Sequence, residues 1–186
     1  TALAVGLRAS GARVLDLGIL PTPGIAFLTR FVNATAGAVI SASHNPAAEN
    51  GIKFLNSEGM KLTSDQEQAI EEILEKLPEQ IPDLEGECLG EDSTALFEAY
   101  LQDILASVPD LNLKNLKILL DCANGAAFKA GPEVLRRAGA ELLVINQESD
   151  GVNINVHAGS ENLRSRPAEL AEIVKREGVD LAIAFD

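Results

Sequence analysis

Leu135-Arg136-Arg137-Ala138-Gly139-Ala140-Glu141-Leu142-Leu143 passes from a basic helix end, through one glycine, into an apolar strand. Glycine suits that junction because the residue that closes a helix commonly turns left-handed, a conformation that costs side-chain-bearing residues more. The same layout occurs at Leu7-Arg8-Ala9-Ser10-Gly11-Ala12-Arg13-Val14-Leu15 and at Val174-Lys175-Arg176-Glu177-Gly178-Val179-Asp180-Leu181. Each stretch reads as the helix-to-strand half of a βαβ crossover. Whether the echo reflects duplication or chance, it predicts an α/β protein.

Working outward, apolar spacing predicts helices over 2–9, from Pro23 with Ala26, Phe27, Phe31 and Val32 as its inner face, over 64–77, over 94–108 and over about 167–176. Ser64-Asp65-Gln66-Glu67 reads as a capping box with Ser64 as the cap. Tyr100 falls on the apolar stripe of its helix and is expected in the core. Strands are predicted at 14–18, 39–40, 52–55, 116–121, 141–145 and 181–185, with a long polar loop between 146 and 166. Pro132 either starts or kinks the helix after 121–125. Proline, glycine and acidic residues dominate 78–92, which places a domain boundary near residue 90 and divides the chain into 1–90 and 91–186.

Composition narrows the class of partner. The net charge is −13, and the fifteen Lys and Arg are dispersed, so nucleic acid and anionic membrane surfaces are not expected partners. No apolar run approaches the roughly 20 residues of a membrane span. The opening residues look like the back half of an amphipathic helix, so the chain is expected to start inside a fold. Cys88 and Cys122 offer neither metal-ligand spacing nor a disulfide framework, and reduced thiols in the cytoplasm are the expectation.

The stretch that folding alone does not explain is Val39-Ile40-Ser41-Ala42-Ser43-His44-Asn45-Pro46. A short strand runs into small polar residues, and Pro46 and Gly51 end regular structure. The loop carries the Ser43 hydroxyl and the His44 imidazole, with the Lys53 cation ten residues after the serine. Taken by itself, Ser-His-Asn-Pro is also good turn composition. The longer string Ser41-Ala42-Ser43-His44-Asn45-Pro46, followed by Asn50-Gly51-Ile52-Lys53 and Gly59-Met60-Lys61-Leu62, resembles the phosphoserine loop of the α-D-phosphohexomutases. Its leading serine is most similar to the bacterial phosphoglucosamine mutase branch.

The resemblance extends through Pro21-Thr22-Pro23, Asp121-Cys122-Ala123-Asn124-Gly125-Ala126 and Asp150-Gly151-Val152-Asn153-Ile154-Asn155 to the closing strand 180–186. In the family a strand like that one leads into an Asp-Gly-Asp-x-Asp-Arg metal loop, whose first aspartate Asp186 matches. By itself Asp186 is a terminal carboxylate expected to fray. One departure stands out. After Gly159-Ser160, phosphoglucosamine mutases commonly carry a Thr-His-Pro segment, where this chain has Glu161-Asn162-Leu163-Arg164-Ser165-Arg166.

The resemblance implies two similar three-layer α/β units with mixed, mainly parallel sheets sandwiched by helices. It implies phosphoryl transfer between glucosamine 6-phosphate and glucosamine 1-phosphate through phosphorylated Ser43 and a hexose bisphosphate intermediate. His44 and Lys53 would move the sugar hydroxyl proton or stabilise charge, and Mg2+ would bridge Ser43 and Asp186. Phosphoglucomutase or phosphomannomutase activity is the alternative, and a non-catalytic sugar-phosphate-binding piece is another. The sequence does not indicate an oligomeric state.

Overall fold

A computed structural model describes residues 2–41, 43, 45, 48–76 and 93–186. The first elements are helices α1 (Ala2–Ala9) and α2 (Thr22–Phe31), strands β1 (Ala36–Ile40) and β2 (Ile52–Asn56), and helix α3 (Ser64–Leu74). They are followed by α4 (Thr94–Ser107), β3 (Lys117–Asp121), α5 (Ala130–Arg137), β4 (Glu141–Ile145), α6 (Gly159–Ser165), α7 (Pro167–Glu177) and β5 (Leu181–Ala184). The chain forms two compact units, one of Thr1–Gly18, Thr22–Val39 and Lys53–Glu98, the other of Ile19–Pro21, Ile40–Ile52 and Ala99–Asp186. The predicted boundary at residue 90 lies outside the described residues.

In the first unit, Ile25 and Leu28 of α2 and Val39 and Leu55 of the β1–β2 sheet are buried. The inner face of α2 is rotated from the expected one: Gly24, Ile25, Leu28 and Thr29 face inward, while Phe31 is exposed and Phe27 stacks on it at 5.4 Å between ring centroids. Thr29 can turn inward because its hydroxyl donates to the Ile25 carbonyl at 2.7 Å, so burial leaves no polar atom unpaired. The strand expected at 14–18 does not form. The Arg8 guanidinium occupies the Val14 carbonyl, and Asp16 accepts the Gly18 N–H in a local turn, which curls the backbone away from a ladder.

The second unit is a three-layer sandwich around a parallel sheet ordered β4-β3-β5. Central β3 is a buried apolar run, as a strand covered on both faces must be. On one face Leu119, with Leu143, Ile145 and Ala182, packs against Leu163 of α6 and Leu170, Ile173 and Val174 of α7. On the other, α5 lies so close that a Cβ added at Gly131 would come within 2.5 Å of the Phe185 ring and 3.7 Å of Leu120. Tyr100 is buried there, as expected, and lines an apolar cavity of about 320 Å³ with Ile104, Val134, Ile183 and Phe185.

The helix-to-strand junctions read from the sequence carry Gly11, Gly139 and Gly178 at φ +87°, +102° and +62°. Pro132 is the third residue of α5, inside the first turn, where a missing N–H breaks no intrahelical bond. The helix after β3 packs on one face of the sheet and those after β4 pack on the opposite face. The chain therefore parts at the carboxyl ends of adjacent strands β3 and β4, and such a parting opens a crevice where α/β proteins hold ligands.

Candidate active site

The first candidate group lies just past β1. The Ser41 N–H donates to the Gly51 carbonyl at 2.9 Å, which closes the loop base. Beyond it, Ser43 is exposed with φ +62°, and its N–H donates to the Ser41 hydroxyl at 3.0 Å. A left-handed serine costs on the order of 1 kcal/mol and persists only where its surroundings hold it. Here Ser41 is the brace and Ser43 the exposed apex. The Asn45 amide donates to Glu49 at 2.7 Å, which holds the far side of the loop. Lys53 is exposed on β2. His44 lies outside the described residues. Ser43 and Asp186 fall in the same unit and Lys53 in the other.

The second group grows from the end of β3. Asp121 is only 3% exposed, and its carboxyl accepts three hydrogen bonds. One oxygen takes the Ala123 N–H and the Asn146 side-chain amide, each at 2.9 Å, and the other takes the Gly159 N–H at 2.8 Å. One side chain thus ties the ends of β3 and β4 to the start of α6. Around it Ala123, Asn124, Asn146, Asn155 and His157 all adopt positive φ. Gly159, at φ +74°, admits no side chain, since a Cβ there would lie 2.6 Å from that of Ala123 and 2.7 Å from the Phe185 carbonyl. Next to Asp121, Cys122 is a free, buried thiol whose pKa is pushed from 9.0 to about 11 by burial, then by the Asp121 carboxylate, against a smaller pull from Arg136. It is a packed, protonated thiol and not a nucleophile.

This scaffold tethers the chain beyond β5. The Phe185 N–H donates to the Asp121 carbonyl at 2.9 Å, and the Phe185 carbonyl accepts the Ser160 N–H at 2.7 Å. Asp186, expected to fray, follows a residue held on both sides, and the Ser160 hydroxyl lies 3.5 Å from its carboxylate. Asp186 opens onto a cleft of about 550 Å³ whose walls include Asn155, His157, Asn162, Arg164 and Arg166.

Two profiles of known domains fit this chain: phosphoglucomutase/phosphomannomutase alpha/beta/alpha domain I over residues 1–81, and domain II over residues 98–186. The chain belongs to the phosphoglucomutase/phosphomannomutase family. It is 47% identical to a phosphoglucosamine mutase of Clostridium novyi and 44% identical to one of Bifidobacterium animalis, in each case over all of this chain. It spans about two fifths of the length of these relatives, 40% and 41%. Among solved structures, a phosphoglucomutase/phosphomannomutase family protein of Burkholderia thailandensis superposes on the whole chain with a TM-score of 0.74 at 26% identity, covering 40% of that protein.

In a family member the carboxyl end of β5 is where a metal is expected, and the described residues there do not by themselves make such a site. Among the described residues no three His, Cys, Asp or Glu side chains converge, and Asp186 offers one carboxylate where Mg2+ requires near-octahedral oxygen ligation. Among the described residues, too, no helix is long and apolar enough to cross a membrane. The sequence singles out Asp121, Asn155, Asp186 and residues 161–166 separately, and does not show that the last three meet in one cleft. For Asp121 the available signal is a carboxylate ending a strand with an apolar centre, Ile118-Leu119-Leu120, followed by Cys-Ala-Asn-Gly.

Proposed function

We propose that the whole enzyme interconverts glucosamine 6-phosphate and glucosamine 1-phosphate, with Ser43 as the phosphoryl carrier, and that this chain divides into domains at 1–90 and 91–186. The observation that carries this reading is identity of 44–47% to phosphoglucosamine mutases over the entire chain. The exposed, braced geometry of Ser43 supports it, because a carrier must present its oxygen to a sugar that binds in two orientations.

In the forward half, the C1 hydroxyl oxygen of glucosamine 6-phosphate attacks phosphorus on phosphorylated Ser43. The new O–P bond forms as the bond from phosphorus to Ser43 Oγ breaks, and the hydroxyl proton leaves to a base. The product is a hexose 1,6-bisphosphate. After that intermediate turns round, Ser43 Oγ attacks the 6-phosphate, recovering the phosphoserine and freeing glucosamine 1-phosphate. Such transfer is chiefly positioning and neutralisation of charge on the transferring oxygens. Lys53 and His44 are assigned to the proton and the charge, roles worth on the order of 10²- to 10⁴-fold each. Magnesium, when bound, would supply positive charge toward the transferring oxygens.

The test is an assay of glucosamine, glucose and mannose phosphates side by side in the whole enzyme, with Ser43→Ala and Ser41→Ala variants. Loss of turnover and of phosphate label in the Ser43 variant, with partial activity in the Ser41 variant, is the expected result. Label on Ser41 with the Ser43 variant active would sink the assignment. Preference for glucose or mannose phosphates would move the reaction to phosphoglucomutase or phosphomannomutase.

A further inference from the structure

Glu161, Asn162, Arg164, Ser165 and Arg166, from α6 and the residue that follows it, line the cleft beyond β5. We propose that this cleft is a phosphate-binding subsite, in which Arg164 and Arg166 take a phosphomonoester dianion and the Asn155 and Asn162 amides face the hydroxyls of the attached hexose. The hexose part of the ligand rests on the mutase reading, whereas the phosphate part rests on the cleft alone.

Three observations carry the proposal. At about 550 Å³ the cleft lies within the range that holds small ligands. Its arginines are only loosely engaged: Arg164 meets Glu161 at 3.0 Å and Arg166 meets Glu169 at 3.4 Å, and all four side chains are more than half exposed. Exposed pairs of this kind hold weakly. A guanidinium carries five N–H donors in a planar fork, and a phosphate dianion engages two at once with more charge than a carboxylate.

The third observation is the rigidity of the opposite wall. Asn155 and His157 are held at φ +58° and +51°, away from the ordinary range for residues bearing side chains. The Asn155 N–H is fixed on the Ala123 carbonyl at 2.9 Å, and the Gly159 N–H on buried Asp121 at 2.8 Å. Strained backbone that the surrounding structure holds in place concentrates where ligands are bound. Asp186 shares the cleft, so a phosphate held there would sit beside the end of β5.

Calorimetric titration of the chain with glucosamine 6-phosphate, inorganic phosphate and unphosphorylated glucosamine decides the matter. Both phosphates are expected to bind and glucosamine is not. The exposed double variant Arg164→Gln/Arg166→Gln should keep its melting temperature and weaken phosphate binding about tenfold or more, since hydrogen bonds to charged groups are the strong ones. Glu161→Gln removes a competing carboxylate and should tighten binding about twofold. Absence of phosphate binding, or binding unchanged in the double variant, overturns the subsite. The mutase reading fails separately: arginine-dependent phosphate binding together with a Ser43 that never takes label leaves the subsite standing and removes the mutase.

Discussion

Asp121 shows how much one side chain can organise. It accepts from Ala123, Asn146 and Gly159, which belong to three different segments, and all three partners are donors. Asp121→Asn replaces one acceptor by a donor that must face another donor, whichever way the amide turns. The loss of a charge-assisted bond and the new clash should cost about 2–3 kcal/mol, read as a lower denaturant midpoint at unchanged slope. Its neighbour Cys122 gives a pH test. Burial raises this thiol from 9.0 to about 11, so the folded state favours the protonated form. The stability it supplies is fully present below pH 9 and is lost as pH climbs toward 11. Tyr100, raised by burial and then by Asp103, adds a decline of the same sign. Thermal melts between pH 8 and 11 should therefore fall, and Cys122→Ala should make the fall shallower without abolishing it. An identical profile in the variant would remove Cys122 as a cause.

Elements were legible where burial and periodicity agreed. The runs that became β3, β4 and β5 are apolar, the last two shortly after a helix-releasing glycine, and they form where expected. What the sequence withheld was register and partner. Helix α6 falls in the stretch expected to be loop, because Gly159-Ser160-Glu161-Asn162-Leu163-Arg164-Ser165 has no apolar stripe, and its start is set by Asp121 holding the Gly159 N–H. Helix α3 begins one residue earlier in register than expected: Thr63, not Ser64, is the cap, with Gln66 returning the bond to the Thr63 N–H at 3.0 Å. Both Thr63-x-x-Gln66 and Ser64-x-x-Glu67 satisfy the capping pattern, so sequence alone could not choose between them. The two variants separate them. Thr63→Ala should lower stability by about 1 kcal/mol, whereas Ser64→Ala, inside the first turn, should change it by a few tenths at most, both measured by urea denaturation. The residues lining the cleft were not legible, because Asn155, Arg164 and Asp186 meet only once two left-handed turns and β5 are in place.

At the scale of the whole molecule, the decisive quantity is the share of a complete site that the chain supplies. It spans about two fifths of the phosphoglucosamine mutases it matches. It holds Ser43 exposed and braced by Ser41, yet among the described residues no three metal-binding side chains converge. Phosphoryl transfer depends on charge neutralisation at the transferring oxygens, and contacts that act together in a transition state fail together when several are missing. The 186-residue chain is therefore expected to bind phosphate while showing no interconversion of glucosamine phosphates. The measurement is a ³¹P NMR time course with glucosamine 6-phosphate, Mg2+ and a trace of hexose bisphosphate, set against a full-length phosphoglucosamine mutase. Growth of the 1-phosphate signal with the chain alone would show that these residues assemble a working centre unaided. A flat time course beside retained phosphate binding would separate the two functions physically, with recognition held by the β5 cleft and turnover dependent on groups that the chain does not bring together.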